Sequence, residues 1–184
     1  MTKERLYSAS EVRAAMDASG ARDAALINVL WCSGVRCAEA LALLPTDIDR
    51  ERGTLWVSFG KGGVSRLVVL PKPMCEELWG RLDSWLRVRP HNAEQLFCNP
   101  HGAPLEGESV RSLFRGLGDR LGLQGRFHPH ALRHNFASKM HLSGISLDVI
   151  QQQLGHSELT VTGVYLRHIE DQVLLERVVN APVR

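Results

Sequence analysis

The sequence lacks the cysteine patterns of metal-binding and disulfide-stabilised proteins. Its four cysteines form no C-x-x-C pair and no Cys/His group at the spacing of zinc ligands. We therefore predict reduced and mostly buried thiols at these positions: Cys32, Cys37, Cys75 and Cys98.

Long apolar runs are also missing. No stretch reaches the roughly 18 uninterrupted apolar residues of a membrane-spanning helix. The first 20 residues contain several charges and no long apolar segment, unlike a signal peptide. These features predict a cytoplasmic protein with no membrane partner.

Net charge is small, because 22 Lys and Arg against 20 Asp and Glu leave a formal charge of +2. Charge is nevertheless uneven along the chain: from Arg111 to His141 the only acid is Asp119, among six Arg or Lys and four His. A basic face for nucleic acid would give this count, and so would the solvated surface of a helix.

Residue periodicity predicts one mainly α-helical domain with a small antiparallel β-sheet, an α+β fold over residues 1–184. A β-hairpin with a glycine-rich turn is predicted over 54–70, and a short strand over 96–98. Caps, glycines and prolines delimit the predicted helices: one starting at the Ser8 capping box, then 21–33, 38–44, 74–85, 108–121, 129–142, 146–154 and about 158–165.

Two arginines on separate segments have the chemistry of a phosphate site. Arg36 follows the predicted helix end at Gly34, and Glu39, three residues later, can share its face. Arg133 lies in a predicted helix that starts at Pro129, whose N-terminus would direct its N–H groups at an anion. Guanidinium stays protonated and binds two phosphate oxygens at once, which suits a transition state that gains charge.

His130 and Tyr165 are candidates for proton transfer and nucleophilic attack. His130 precedes Arg133 by three residues, so both can lie on one side of a helix. Tyr165 is one of only two tyrosines, and forming its phenolate would cost roughly 4 kcal/mol at neutral pH. Considered singly, each of these residues is more often structural, as a cap or a half-buried core side chain.

Lys61 and His156 are the remaining candidates. Lys61 lies on the glycine-rich turn of the predicted hairpin, from which it could protonate a departing oxygen, although turn lysines are usually only solvated. His156 follows Leu154-Gly155, directly after a predicted helix end, and has the same two interpretations.

Taken together, these residues resemble the catalytic domain of the tyrosine recombinase (phage integrase) family. Ser33-Gly34-Val35-Arg36-Cys37-Ala38-Glu39 is similar to the first arginine box, and Gly60-Lys61-Gly62-Gly63 to the hairpin lysine. The run from His130 to His134 is similar to the H-x-L-R-H box, Leu154-Gly155-His156 to the L-G-H element, and Tyr165 stands at the usual distance of the nucleophile.

The resemblance implies a role for each residue. Tyr165 attacks the scissile phosphate, leaving a 3′-phosphotyrosine and a free 5′-hydroxyl, while Arg36, Arg133 and His156 stabilise the transition state. His130 assists proton transfer from Tyr165, Lys61 protonates the 5′-oxygen, and Glu39 supports Arg36. No cofactor is implied, because one phosphodiester is exchanged for a bond of similar energy.

The implied partners are double-stranded DNA, further copies of the chain in a tetramer on DNA, and accessory DNA-bending proteins. The implied location is the nucleoid of a bacterium or a phage-infected cell. The tail 169–184 either completes the chain's own core or docks on a neighbouring protomer. Only about 30 residues precede Arg36, so we expect the family's amino-terminal DNA-clamping domain to be absent.

Two other functions remain open at this stage. One is a DNA relaxation activity like that of type IB topoisomerases, which share the attack chemistry but rejoin the same strand. The other is a DNA-binding or assembly module in which the site is present but unused.

Overall fold

The computed structural model describes residues 6–58, 65–75, 77–123 and 127–155. These residues form seven α-helices and one three-stranded antiparallel sheet, with strand order β1-β2-β3. The helices are α1 (Ala9–Asp17), α2 (Ala21–Ser33), α3 (Cys37–Ala42), α4 (Leu78–Leu86), α5 (Gly107–Leu121), α6 (Pro129–Leu142) and α7 (Leu147–Leu154). The strands are β1 (Ile48–Asp49), β2 (Thr54–Val57) and β3 (Arg66–Val69), and single 3₁₀ turns occupy Pro45–Asp47 and Lys72–Met74. The predicted fold class is confirmed.

Helix α2 lies at the centre of the core. The sequence predicts an apolar stripe on this helix, yet every residue from Ala24 to Ser33 is buried. The reason is that α2 packs against α1, α4 and α6 at once, and a helix that is apolar on all sides is stable only when it is surrounded.

Most predicted helix ends are confirmed by their caps. Ser8 and Glu11 form the capping box of α1, and α2 ends at Gly34, whose φ of +64° places it in the left-handed region. Helix α6 begins at Pro129, as predicted, and α7 ends at Gly155, also with φ of +64°.

The sheet agrees with the predicted hairpin in its strands. Strands β2 and β3 pair antiparallel with Leu55 opposite Val68, and β1, which was not predicted, adds two residues at the edge of β2. Residues 59–64, over which the turn with Lys61 is predicted, lie outside the described residues. The predicted strand over 96–98 is wrong: only a single bridge, between Cys98 and Pro104, forms there.

A glutamine joins α7 to the free edge of β3. The Gln153 side chain accepts a hydrogen bond from the Val69 N–H at 2.9 Å and donates one to the Val69 carbonyl at 2.8 Å. Gln153 is 7% exposed. The amide thus completes the ladder of an edge strand and fixes the end of α7 against the sheet.

All four cysteines are free thiols; three are buried and Cys37 is half-buried. None of the helices in the described ranges is long and apolar enough to cross a membrane.

We predict that Gln153→Ala lowers the free energy of unfolding by roughly 1–2 kcal/mol, because two backbone partners on β3 lose their hydrogen bonds. The neighbouring Gln152 is exposed and is the matched control, so Gln152→Ala should change stability by less than about 0.5 kcal/mol. Urea denaturation measures both. Equal effects of the two substitutions would show that Gln153 does not fasten α7 to the sheet.

Candidate active site

Arg36 occupies the N-cap of α3, and its position is fixed by Glu39. The Arg36 N–H donates to Glu39 Oε2 at 2.7 Å, and Arg36 Nη1 donates to Glu39 Oε1 at 3.0 Å. Glu39 is buried, whereas the Arg36 side chain is 29% exposed. Arg36 and Glu39, which the spacing allows to share a face, are therefore in direct contact.

A second arginine, Arg66 at the start of β3, binds the same carboxylate. Its Nη1 lies 2.8 Å from Glu39 Oε1 and its Nη2 lies 2.9 Å from Glu39 Oε2. This two-point geometry matches the planar fork of a guanidinium to a carboxylate. Burial by itself would raise the pKa of Glu39, but the hydrogen bonds and charges of Arg66 and Arg36 outweigh burial and lower the pKa below its ordinary value.

Among the candidate residues that the structure describes, Arg133 is the most buried, with an exposed fraction of 3%. Its Nη1 donates to the Gly34 carbonyl at 2.6 Å and its Nη2 to the Leu154 carbonyl at 2.7 Å. Arg133 therefore joins the end of α2 to the end of α7. Burial, followed by the positive charge of Arg36, lowers the pKa of Arg133 to about 9, so the guanidinium remains protonated at neutral pH.

The C-terminus of α7 brings the three arginines together. The last carbonyls of a helix have no partner within it, and the negative end of the helix dipole attracts cations. Three consecutive carbonyls each accept a hydrogen bond from a different arginine: Gln153 from Arg66 at 2.9 Å, Leu154 from Arg133 at 2.7 Å and Gly155 from Arg36 at 3.2 Å.

This cluster has more positive than negative charge. Glu39 is the one carboxylate that the described residues place in contact with Arg36 and Arg66. Three guanidiniums around one carboxylate leave an excess of two positive charges. Because Arg133 is buried beside Arg36, an anion at this point would relieve their repulsion, and a phosphate has the charge and the acceptor oxygens to do so.

His130 lies in the first turn of α6 and is exposed. Its ring is 4.6 Å from that of His134 and 6.4 Å from that of His128, measured between centroids. His128 is the N-cap of α6, and its Nδ1 accepts a hydrogen bond from the Ala131 N–H at 3.1 Å. The start of α6 therefore presents a group of three imidazoles, of which His130 lies about one turn before Arg133.

The structure thus brings Arg36, Glu39 and Arg133 together and places His130 on the same helix as Arg133. The predicted residues Lys61, His156 and Tyr165 lie outside the described residues, so their positions stay predictions.

Sequence reasoning missed Arg66 and Gln153 as parts of the site. One signal for Arg66 was present: strand alternation puts it on the same face as the buried Val68, and a charged side chain on a buried face needs a partner. No comparable signal marks Gln153.

Comparison with known proteins places these features in context. The model of the phage integrase family matches residues 3–172. The chain is 30% identical over 179 residues to tyrosine recombinase XerD of Bifidobacterium longum, covering 94% of this chain and 58% of that protein. It is 37% identical over 147 residues to tyrosine recombinase XerC of Chromobacterium violaceum, covering 79% and 48%. The chain thus spans about half the length of the curated relatives that it matches.

Solved structures agree with the described fold. The crystal structure of XerA recombinase is 28% identical with a TM-score of 0.79, over 97% of this chain and 66% of that one. The post-cleavage complex of XerH site-specific recombinase with a palindromic difH substrate is 26% identical with a TM-score of 0.77, over 97% and 53%.

Gly155 provides a test of how tightly the cluster is packed. A Cβ at this position would lie 2.7–2.9 Å from the guanidinium of Arg66, which Glu39 and the Gln153 carbonyl hold in place. We predict that Gly155→Ala lowers the free energy of unfolding by about 1 kcal/mol for the left-handed backbone, and by a further ~2 kcal/mol because Arg66 must leave its charged partners.

Gly122 is the matched control. It also caps a helix, with φ of +59°, but a Cβ there would meet no atom of the described part of the chain within 4 Å. Gly122→Ala should therefore show only the backbone cost of about 1 kcal/mol. The same loss in both variants, measured by thermal unfolding, would show that Arg66 can move aside freely.

Proposed function

The chain belongs to the phage integrase family, and from that premise we propose that it is the catalytic domain of a site-specific tyrosine recombinase, which cleaves and rejoins DNA strands through a 3′-phosphotyrosine. The observation that carries this proposal is the arginine cluster at the end of α7, where Arg36 donates to Glu39 and to the Gly155 carbonyl and Arg133 donates to the Leu154 carbonyl.

The unused donors of these arginines support phosphate binding. A guanidinium has five N–H donors. The contacts described above use two donors of the Arg36 side chain and two of Arg133. Within the described residues both guanidiniums therefore retain donors for the non-bridging oxygens of a phosphodiester, and both are anchored to backbone carbonyls. Such preorganised charge is the main source of transition-state stabilisation in a site of this kind.

The proposed reaction exchanges one ester for another. The phenolic oxygen of Tyr165 forms a bond to phosphorus, and the bond from phosphorus to the 5′-oxygen breaks. His130 assists removal of the proton from Tyr165, Lys61 delivers a proton to the departing 5′-oxygen, and His156 adds a hydrogen bond to the phosphate. Reversal of these steps with a new 5′-hydroxyl joins the exchanged strands.

Double-stranded DNA is the proposed substrate. A cleft of about 560 Å³ lies beside the start of α6 and is lined by Arg111, Arg115, Phe127 and His128 among others. The arginines are exposed and one turn apart on α5, which is the spacing of a basic stripe that contacts phosphates. Relatives in complex with DNA, such as XerH on difH, add support by analogy.

The assembly is also a proposal. We propose that four copies act together on DNA, with the tail 169–184 of one protomer docked on the next and with accessory DNA-bending proteins where the target requires them. A bacterial or phage-infected cell, with the protein at the nucleoid, is the corresponding location.

A pool of nicked duplexes with a randomised core tests the reaction. Cleavage near the nick releases a short 5′-hydroxyl fragment that diffuses away and traps the covalent adduct. We predict an adduct that survives denaturation with the native chain and is absent with Tyr165→Phe. Sequencing of the trapped duplexes would identify the target site.

Tyr7 is the other tyrosine of the chain and is the control. It is buried and its ring packs on Phe127 at a centroid distance of 5.1 Å, so Tyr7→Phe should retain the adduct. If the native chain bound DNA but formed no adduct with any member of the pool, the chain would be a binding module. Relaxation of a supercoiled plasmid without strand exchange would indicate a topoisomerase.

A further inference from the structure

The geometry points to Arg66 as a positioning residue that holds Glu39, and through Glu39 the guanidinium of Arg36, in place for DNA cleavage. The inference rests on the proposed function and adds to it a residue that lies outside the proposed catalytic set. It depends on the difference between Arg66 and Arg36 in exposure and hydrogen bonding.

Arg66 uses its donors on the protein itself. All three of its side-chain nitrogens donate: Nε to the Gln153 carbonyl, and Nη1 and Nη2 to the two oxygens of Glu39. The Arg66 side chain is 10% exposed, against 29% for Arg36. Arg66 is therefore oriented toward the protein, whereas Arg36 can reach a ligand from the solvent side.

Glu39 links Arg66 to Arg36, because both arginines donate hydrogen bonds to its carboxylate. Each carboxylate oxygen accepts two hydrogen bonds, one from each arginine: Oε1 from Nη1 of both side chains, and Oε2 from Arg66 Nη2 and the Arg36 N–H. Four donors fill the roughly four lone-pair sites of a carboxylate. Removal of Arg66 would empty two of them and leave the buried carboxylate free to rotate away from Arg36 Nη1.

The guanidinium of Arg66 also lies against the backbone of Gly155 at the end of α7. Because Gly155 has no Cβ, Arg66 lies where a side-chain carbon would otherwise be. The Gly155 carbonyl in turn accepts from Arg36 Nη2. Arg66 thus fixes two of the contacts that orient Arg36, one through Glu39 and one through α7.

A double-mutant cycle tests this role. It compares the native chain with Arg66→Gln, Glu39→Gln and the double variant, and Arg66→Lys is a second variant that retains the charge if Arg66→Gln fails to fold. Arg52→Gln is the matched control, because Arg52 is 83% exposed and lies in the turn between β1 and β2. The first measurement is the affinity for inorganic sulfate, and the second is the single-turnover rate of cleavage of a duplex recovered from the randomised pool.

If Arg66 acts through Glu39, substitution of Arg66 should weaken sulfate binding and slow cleavage only when Glu39 is present. We expect Arg66→Gln to weaken sulfate binding about tenfold in the native background and less than about twofold in the Glu39→Gln background. In the native background, Arg66→Gln should slow cleavage by about 100-fold, which is the effect of a small misplacement of a catalytic group. Arg66→Lys should show an intermediate loss, because a lysine cannot reproduce the fork, and Arg52→Gln should match the native chain.

A methylphosphonate at the scissile position distinguishes positioning from general loss of structure. This group lacks the negative charge that Arg36 would face, so a defect that acts through Arg36 should shrink to less than about tenfold for both Arg66→Gln and Arg36→Gln. A defect caused by a damaged fold would be equally large on both substrates.

The inference is wrong if the loss of sulfate affinity caused by Arg66→Gln is the same with and without Glu39, or if Arg66→Lys binds sulfate and cleaves like the native chain.

The role of Arg66 and the recombinase function can fail independently of each other. A native chain that forms no adduct removes the recombinase function, while the sulfate cycle still decides the role of Arg66. A native chain that cleaves DNA without coupling between Arg66 and Glu39 removes only the role of Arg66.

Discussion

The rest of the site depends on three carbonyls at the end of α7 that find their hydrogen-bond donors outside the helix. A helix end buried inside a protein needs donors for its last carbonyls, and here each donor is an arginine from a different part of the chain. Residues 153–155 accept from Arg66 of β3, Arg133 of α6 and Arg36 of the α2–α3 junction. The same hydrogen bonds that satisfy the helix therefore assemble the proposed phosphate site.

Glu39 partly neutralises the positive charge of the arginine cluster. Its buried carboxylate binds Arg36 and Arg66 together, and their charges keep it ionised, as its lowered pKa shows. One carboxylate does not neutralise three guanidiniums: burial is the main cause of the lowered pKa of Arg133, and the positive charges of Arg36 and Arg66 add to its effect. Within the described residues the cluster keeps an excess of two positive charges, which suits the binding of a phosphate.

Much of the fold could be predicted because its signals are local. The caps at Ser8, Gly34 and Gly155 and the proline at the start of α6 define helix ends within a few residues of sequence. The pairing of Arg36 with Glu39 is equally local, since three residues separate them. Strand alternation marks Arg66 as facing the buried side, but it does not identify the partner Glu39, 27 residues distant, and nothing local marks Gln153, whose partner is 84 residues distant. Their roles follow from the packing of α7 on the sheet, which no periodicity encodes.

The structure of the chain in crystals soaked with tungstate, a phosphate analogue with a strong anomalous signal, tests the central claim most directly. We predict an anomalous peak within hydrogen-bonding reach, about 3 Å, of the guanidiniums of both Arg36 and Arg133. A map with tungstate bound elsewhere and none between these two side chains would contradict the assignment of this cluster as the phosphate site.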